Sequence, residues 1–512
     1  MKTPSDELFR IIKSMNKQEK IHFTLYCSRK EKNNHSLKLF NAMNAMKQYD
    51  ESRMRKKLKD KRMLRNLKRI KSYTGNAVLS SLREYHSDDS VSIQLQRHLQ
   101  TIEILSGKGL YDTAMKAVSK AEKLAIANDC YNYLFIILEQ KYMMMFPQQN
   151  PEAMRKYANE GYVNELKYRD IDKNILEYKR LYAHQECIKT SHGENPTRQS
   201  IKALKTLLKN PMLQNESRAL SHTAETIRYQ TLGHVYLELE DWEKCSLFLG
   251  KSIRLFEQKP SYQQDRMNSY IHSMAISIPA LTSLGKKDEI ALMKDKAERF
   301  ISALPGKLRT NSLYSRYLAL MINYINYHLE SWNMQEALKS SEEIKMIVEK
   351  SGDIKAGIVF YANLSMLHFY MRDYRKALHC INKILTMQTT DVRQDITNAA
   401  KIINIVIHYE LGNEEMLPGL CKSTHHYLKK KKALNKVWEL MLWFFLRTPA
   451  KQAAKKEKTS AFAELKKQLE LIASEPDKKK ILYYFDFISW TESKIKNRPF
   501  SEVVRDKQFI AY

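Results

Sequence analysis

TIRYQTLGHVYLELEDWEKCSLFLGKSIRLFEQK, residues 226–259, decides the fold class of this 512-residue chain. Apolar and aromatic residues recur in it at helical spacing on both sides of a break at Glu240-Asp241. The Asp241 carboxylate can accept hydrogen bonds from the free amides of a following helix. The stretch therefore predicts two helices joined by a tight turn. Such a pair cannot bury its own apolar face, so further pairs are expected on both sides.

Small residues mark the places where the two predicted helices approach each other. Gly233 lies on the first helix, and Cys245 and Ser252 lie on the second. With their bulky neighbours they form an ordered set: Tyr229, Leu232-Gly233, Tyr236, Cys245, Leu249 and Ser252. The set resembles the tetratricopeptide (TPR) motif in order and spacing, although Pro260 falls slightly later than the proline of that motif. The resemblance implies a solenoid whose first helices line a concave groove.

Weaker copies of the pattern recur along the chain. They place the first buried position of each second helix at Ala114, Cys245, Ile290, Ala337, Ala377 and Leu417. From Cys245 onward the intervals are 45, 47, 40 and 40 residues, longer than the roughly 34 residues of a regular TPR. We therefore expect an all-α chain, with an α-solenoid of degenerate TPR-like helix-turn-helix repeats over residues 91–450. Residues 451–512 are expected to form C-terminal helices and a tail.

Composition supports this prediction and limits the class of protein. The chain has 13 Gly and 12 Pro, well below average usage, so long helices and short turns are expected. Its N-terminus is charged where a secretory signal needs an apolar run, and its most apolar stretch, residues 440–446, is far shorter than a membrane span. Six widely spaced cysteines fit free thiols in a reducing compartment. A cytoplasmic protein with no membrane partner is expected.

Residues 1–90 form a predicted basic N-terminal helical domain, called the head below. The head carries 22 Lys+Arg and 10 Asp+Glu, and residues 47–71 alone hold 12 basic and 3 acidic residues. Charge at this density attracts polyanions whatever the fold. The candidate polyanion-binding residues are Arg55, Lys56, Lys57, Lys59, Arg62, Arg65, Lys68 and Arg69.

Two interpretations of the head stay open. As a cap, it would give the array a polar outer face, with Met63, Leu67 and Ile70 packed on the first repeat. As a helix-turn-helix-like domain, it would present a basic third helix, predicted from about Met63 to Tyr85, to DNA. A head of that kind before helical repeats resembles peptide-responsive bacterial transcription regulators. The pattern LF..IKS..K.EK..F, from Leu8 to Phe23, also resembles bacterial TPR-containing proteins, a likeness that implies no activity.

Motifs for catalysis, cofactors or metals are not found in the sequence. Gly107-Lys108-Gly109 lies in a predicted helical turn and does not follow a strand, so it does not predict a nucleotide-binding loop. His184 and Cys187 lie one helical turn apart, but two ligands are too few for a zinc site. We therefore expect no enzyme, no cofactor and no metal.

The expected function is a protein–protein interaction scaffold or adaptor that holds a peptide or helix in the concave groove. The TPR resemblance implies groove residues on the two best repeats, namely Gln230, His234 and Glu238, and then Met366, Phe369 and Tyr370. The second set predicts an exposed aromatic patch suited to anchoring a peptide. The alternative is a nucleic-acid-binding regulator with a helix-turn-helix-like head and a repeat sensor domain. The sequence specifies neither the partner nor the oligomeric state.

Overall fold

The computed structural model describes residues 6–30, 35–58, 60–87, 90–148, 151–192, 197–351, 353–387, 393–447, 455–474 and 484–510. Every regular element in these ranges is a helix, which confirms the all-α class for the described part of the chain. None of the described helices combines the length and apolar character needed to cross a membrane. The predicted boundary at residues 450 and 451 lies outside the described residues, and the boundary at residue 90 stays a prediction.

The chain packs into two compact units, residues 1–173 with 305–308 and residues 174–304 with 309–512. The helices of the first unit are α1 (Glu7–Ser14), α2 (Lys17–Lys30), α3 (His35–Asn44), α4 (Glu51–Leu58), α5 (Lys61–Arg65), α6 (Leu67–Tyr85), α7 (Val91–Gly107), α8 (Tyr111–Ala127), α9 (Tyr131–Gln148), α10 (Pro151–Lys156), a π-helix (Tyr157–Gly161), the first part of α11 (Tyr162–His192) and a 3₁₀ turn (Gly306–Leu308).

The second unit contains the rest of α11 and the helices that follow it. In chain order these are α12 (Arg198–Leu208), α13 (Pro211–Gln214), α14 (His222–Glu238), α15 (Trp242–Gln258), α16 (Pro260–Asp265), α17 (Met267–Ser283), α18 (Lys287–Ala303), α19 (Asn311–Glu330), α20 (Met334–Ser351), α21 (Ile354–Tyr370), α22 (Tyr374–Thr386), α23 (Gln394–Glu410), α24 (Leu417–Lys430), α25 (Lys436–Arg447), α26 (Lys455–Ala473), α27 (Phe487–Lys496) and α28 (Phe500–Ile510). Two 3₁₀ turns, Glu216–Arg218 and Glu414–Met416, complete it.

The head has a hydrophobic core of its own. Ile12, Phe23, Leu39 and Val78, from α1, α2, α3 and α6, are fully buried in it. Met63 and Leu67 belong to the same core, and Ile70 packs against it. The helix predicted over residues 63–85 is divided, because α5 ends at Arg65 and α6 begins at Leu67. The cap interpretation required these three apolar residues to cover the first repeat, whereas here they hold the head together.

The helix pair predicted from residues 226–259 is confirmed as α14 and α15. The Asp241 side chain accepts a hydrogen bond from the Lys244 amide at the start of α15. Cys245 and Leu249 are completely buried. A Cβ atom added to Gly233 would lie 2.6 Å from Leu249 Cγ, so the two helices approach as closely as the small residue predicts.

One turn geometry recurs between consecutive helices. Its central residue has a left-handed backbone, and the next amide donates to the carbonyl five positions earlier over 2.8–3.0 Å, as at helix ends of the Schellman type. Asp129, Lys432 and Asn497 show it at other helix ends, and within the predicted helix pairs the central residues are Gly109, Glu240, Gly285, Trp332, Arg372 and Gly412. From Glu240 onward they are spaced at the predicted 45, 47, 40 and 40 residues. The six predicted first buried positions, Ala114 to Leu417, are all buried.

Packing in the second unit links each of these pairs to the next. First helices contact one another in sequence, α17 with α19, α19 with α21, and α21 with α23. Second helices contact the next first helix, as α15 does with α17 and α22 does with α23. The first helices of neighbouring pairs therefore lie side by side. Side chains that project from them on the same side of the array are adjacent to one another.

Candidate functional site

A polar cluster joins α11, α14 and α17 in the second unit. His234 on α14 is at its centre, and its Nδ1 lies 3.1 Å from Glu186 Oε1 on α11. The rings of Tyr182 and His272 lie 5.3 and 5.4 Å from the His234 ring. On the same side of α14, Gln230 donates from Nε2 to Ser273 Oγ over 3.0 Å. Helical spacing explains the grouping, because Gln230 and His234 are four residues apart and share one face.

Burial sets the protonation states in this cluster. It lowers the pKa of His234 and lowers the pKa of His272 to about 3, so both rings are neutral near pH 7. The hydrogen bond from His234 lowers the pKa of Glu186, which is therefore ionised. A carboxylate can only accept, so the Nδ1 of His234 carries the proton and donates it. The cluster thus holds one partly exposed negative charge against a buried neutral donor.

Charged side chains surround the cluster where it reaches solvent. Lys189 Nζ lies 3.2 Å from Glu238 Oε1, which joins α11 to the end of α14. Arg316 on α19 is exposed and acts electrostatically on both Tyr182 and His272. Within the described part of the chain, both amide atoms of the buried Gln185 lack a hydrogen-bond partner, as does Nδ1 of His272. Buried polar atoms without partners are costly, so these atoms lower the stability of the fold where they lie.

The second set of predicted groove residues lies under the chain's own C-terminal segment, residues 484–510. The Phe369 ring is 5.1 Å from Phe485 and 5.5 Å from Phe500, and Tyr370 stacks on Phe500 at 5.4 Å. Phe369 is only 1% exposed. Met366 is partly buried. The prediction of an exposed aromatic patch is therefore wrong, because the C-terminal segment covers it.

The C-terminal segment is held by polar as well as aromatic contacts. Tyr484 donates from its hydroxyl to Asp395 Oδ2 over 2.9 Å. Trp490 donates from Nε1 to Glu410 Oε1 over 2.6 Å, and Lys494 Nζ binds the other oxygen of Glu410. Trp490 and Phe487 are fully buried. The segment is thus part of the core beside α21 and α23, although the sequence predicted only helices and a tail there.

Burial also changes the role of the first set of predicted groove residues, Gln230, His234 and Glu238. Gln230 and His234 are buried between first helices, so they position neighbouring side chains and do not meet a partner directly. Glu238 stays at the margin and is paired with Lys189. Lys189, His272 and Arg316 were not predicted to belong to the site, since α11 carries no repeat motif and the sequence pattern does not align α19 with it. Groups of His, Cys, Asp and Glu able to hold a metal are not found in the described residues.

Most candidate polyanion-binding residues lie on the surface of the head. Lys56, Lys57, Arg65, Lys68 and Arg69 are exposed. Arg55 is also exposed, but its Nη2 lies 2.9 Å from Glu51 Oε1. The hydrogen bond from Lys71 lowers the pKa of Glu51 to about 2 and joins α4 to α6. Lys59 and the side chain of Arg62 lie outside the described residues.

Models of known protein families match no part of the chain, and a search of curated proteins finds no significant relative.

Proposed function

We propose that the chain is a non-catalytic scaffold of TPR-like repeats that holds a polar peptide or helix on the shared side of its first helices. The observation that carries the proposal is the recurrent helix pair with one turn geometry, in which successive first helices contact each other. Repeats of this kind build extended binding surfaces from side chains of neighbouring units. A cytoplasmic location belongs to the same proposal, because all six cysteines are free thiols.

The chemistry of the partner follows from what remains accessible. The aromatic patch is closed by the C-terminal segment, so it offers no apolar anchor. Lys189 and Glu238 already pair with each other at the edge of the polar cluster, and Arg316 is exposed beside it. A partner segment that meets this surface would need an acidic side chain for Arg316 and polar groups beside the ion pair, because charges covered by a partner must be paired. We therefore place the partner beside the polar cluster on α11, α14 and α19.

A charge-reversal experiment tests this proposal. Lys189→Glu together with Arg316→Glu should reduce capture of the main protein partner from the native host at least tenfold, since like charges would then face each other. The matched control reverses Lys244 and Arg254, two basic residues on α15 that lie outside the cluster. Partner recovery is measured by quantitative mass spectrometry, with circular dichroism to verify folding. Equal recovery with both variants would rule out the polar cluster as the binding surface.

A second activity, polyanion binding by the head, is favoured by a separate observation. The head's core takes up Met63, Leu67 and Ile70. Arg65, Lys68 and Arg69, on the same two helices, stay exposed. Since the basic residues carry none of the head's packing, they are available to neutralise phosphates. We propose binding with weak sequence preference; the regulator hypothesis would require strong preference for one sequence.

Salt dependence tests the second activity. Changing Arg65, Lys68 and Arg69 to Gln should reduce the steepness of the slope of log K against log salt by about 2 for a single-stranded oligonucleotide. The reason is that each lost phosphate contact contributes about 0.7 to that slope. The control removes the same charge on α24, by changing Lys422, Lys429 and Lys430 to Gln. Fluorescence anisotropy at several salt concentrations measures both. A flattened slope in the control alone would assign polyanion binding to α24 instead of the head.

A further inference from the structure

An apolar surface on the first unit has no part in the functions proposed above. It consists of the outward side of α9 and the beginning of α11, with Ile136, Met143, Phe146, Tyr162, Val163 and Leu166. These six large side chains are 45–60% exposed and lie within 31 residues of one another. Scattered exposed apolar residues are ordinary, whereas a contiguous patch marks an interaction surface. It is called the α9/α11 surface below.

Contacts between aromatic side chains bring the helices that carry this surface together. The rings of Tyr131 and Tyr168 lie 5.9 Å apart, and the Arg169 guanidinium lies 4.5 Å above the Phe135 ring. Farther along, the Tyr142 and Tyr157 rings are 5.1 Å apart. Side-chain contacts therefore connect α9 with α11 and with the π-helix that precedes it.

The composition of α9 is that of an interior helix. Leu134, Ile137 and Met144 are buried on one side, where α9 contacts α8. Ile136 and Met143, seven residues apart, are exposed on the other. A helix with apolar residues on its buried side and on its solvent side is expected to be covered on both. Of the methionine run 143–145, Met144 and Met145 are buried in the core, but Met143 is exposed.

The charge around the α9/α11 surface and its exposed area indicate which partner covers it. Residues 131–169 hold five basic and four acidic residues, in a chain of net charge +29, so the surface does not attract a polyanion. The exposed halves of six large side chains amount to about 600 Å², close to the roughly 800 Å² per partner of a standard interface. A short peptide would leave much of that area uncovered. A second copy offers an apolar face of the same size, and a two-fold dimer needs only one kind of patch.

We propose that two copies of the chain pair through the α9/α11 surface. The flexible Met143 side chain can adapt to the facing copy. Each chain carries a large positive charge, so repulsion opposes pairing at low salt, and screening should strengthen it. Polyanion binding by the head responds to salt in the opposite direction.

Sedimentation velocity tests the pairing. At micromolar concentration the wild-type chain should sediment as a dimer, with a dissociation constant that falls as NaCl rises from about 0.1 to 0.5 M because the repulsion is screened. Met143→Asp together with Phe146→Asp should raise that constant at least tenfold. Both side chains are exposed in the single chain, so its circular dichroism should be unchanged. Leu471→Asp, at a 72% exposed position on α26, is the matched control and should dimerise normally.

Three outcomes would overturn the proposal. A wild-type chain that is monomeric at every salt concentration would show that the surface does not pair copies. A dimer that persists in the double variant would place the interface elsewhere. A third test introduces Ile136→Cys, Met143→Cys or Phe146→Cys into a Cys187→Ser background, since Cys187 is exposed and the other five cysteines are buried. Failure of all three to form an intermolecular disulfide would exclude a two-fold contact at this face.

Discussion

Replacing Trp490 by alanine should lower the free energy of unfolding of the second unit by about 3–5 kcal/mol, the range for buried aromatic side chains. The indole is fully buried, and its ring lies 5.5–5.9 Å from those of Phe462, Tyr409 and Phe445. Its removal leaves a cavity between α23, α25, α26 and α27. Glu410 keeps Lys494 as a partner, so the loss is mainly one of packing.

Two measurements examine this prediction. Urea unfolding followed by circular dichroism gives the loss of stability, and hydrogen exchange shows where it falls. Exchange should accelerate in α23 and α27 and stay unchanged in the head. Trp443→Ala on α25 is the control, because that side chain is 47% exposed and should cost about 1 kcal/mol or less. Equal effects of the two changes would mean that the C-terminal segment is not part of the core.

Enlarging Gly233 should also destabilise the second unit. An added Cβ would lie 2.6 Å from both Cγ and Cδ2 of Leu249, a side chain that is itself completely buried. Leu249 also packs against Ala280 of α17, so it has little room to move. We expect Gly233→Leu to cost about 1–3 kcal/mol, because overpacking forces α14 and α15 apart.

Gly250 provides a control, because enlarging this glycine should raise the stability of the chain and not lower it. It lies inside α15, and nothing lies within 4 Å of an added Cβ. Gly250→Ala should stabilise the chain by about 0.5–1 kcal/mol, since alanine loses less backbone entropy in a helix. Leu249→Ala combined with Gly233→Ala should be less harmful than the sum of the two changes, because the smaller side chain makes room. Additive losses, or a harmless Gly233→Leu, would contradict close contact at this site.

Local pattern predicted much of the fold. The positions of α14 and α15 and the intervals between turns were located from two features of the sequence. These are glycine, cysteine and alanine at close contacts and an aspartate at the turn. The left-handed positions were not all predictable, because Glu240, Trp332 and Arg372 adopt a conformation that glycine usually supplies. The division between α5 and α6 was missed because the apolar spacing continues through Asn66.

Long-range contacts explain why the site was predicted less well. Phe369 and Tyr370 occupy positions that are open in a regular repeat, and the rings of Phe485 and Phe500, from the distant C-terminal segment, close them. Similarly, Glu186 and His234 are 48 residues apart and belong to helices with no shared motif. A periodic pattern identifies which face a residue lies on, but it does not show what lies against that face.

The position of the C-terminal segment beside α21 and α23 has a consequence for synthesis of the chain. Translation delivers the N-terminal part first, so α21 and α23 emerge before the residues that cover them. Until Phe485, Trp490 and Phe500 have left the ribosome, the aromatic side chains of Phe369 and Tyr409 have no cover from that segment. A chain that stops short of residue 484 keeps them uncovered. Exposed aromatic surface of this kind distinguishes a truncated product from a finished one, and it is what chaperones and proteases bind.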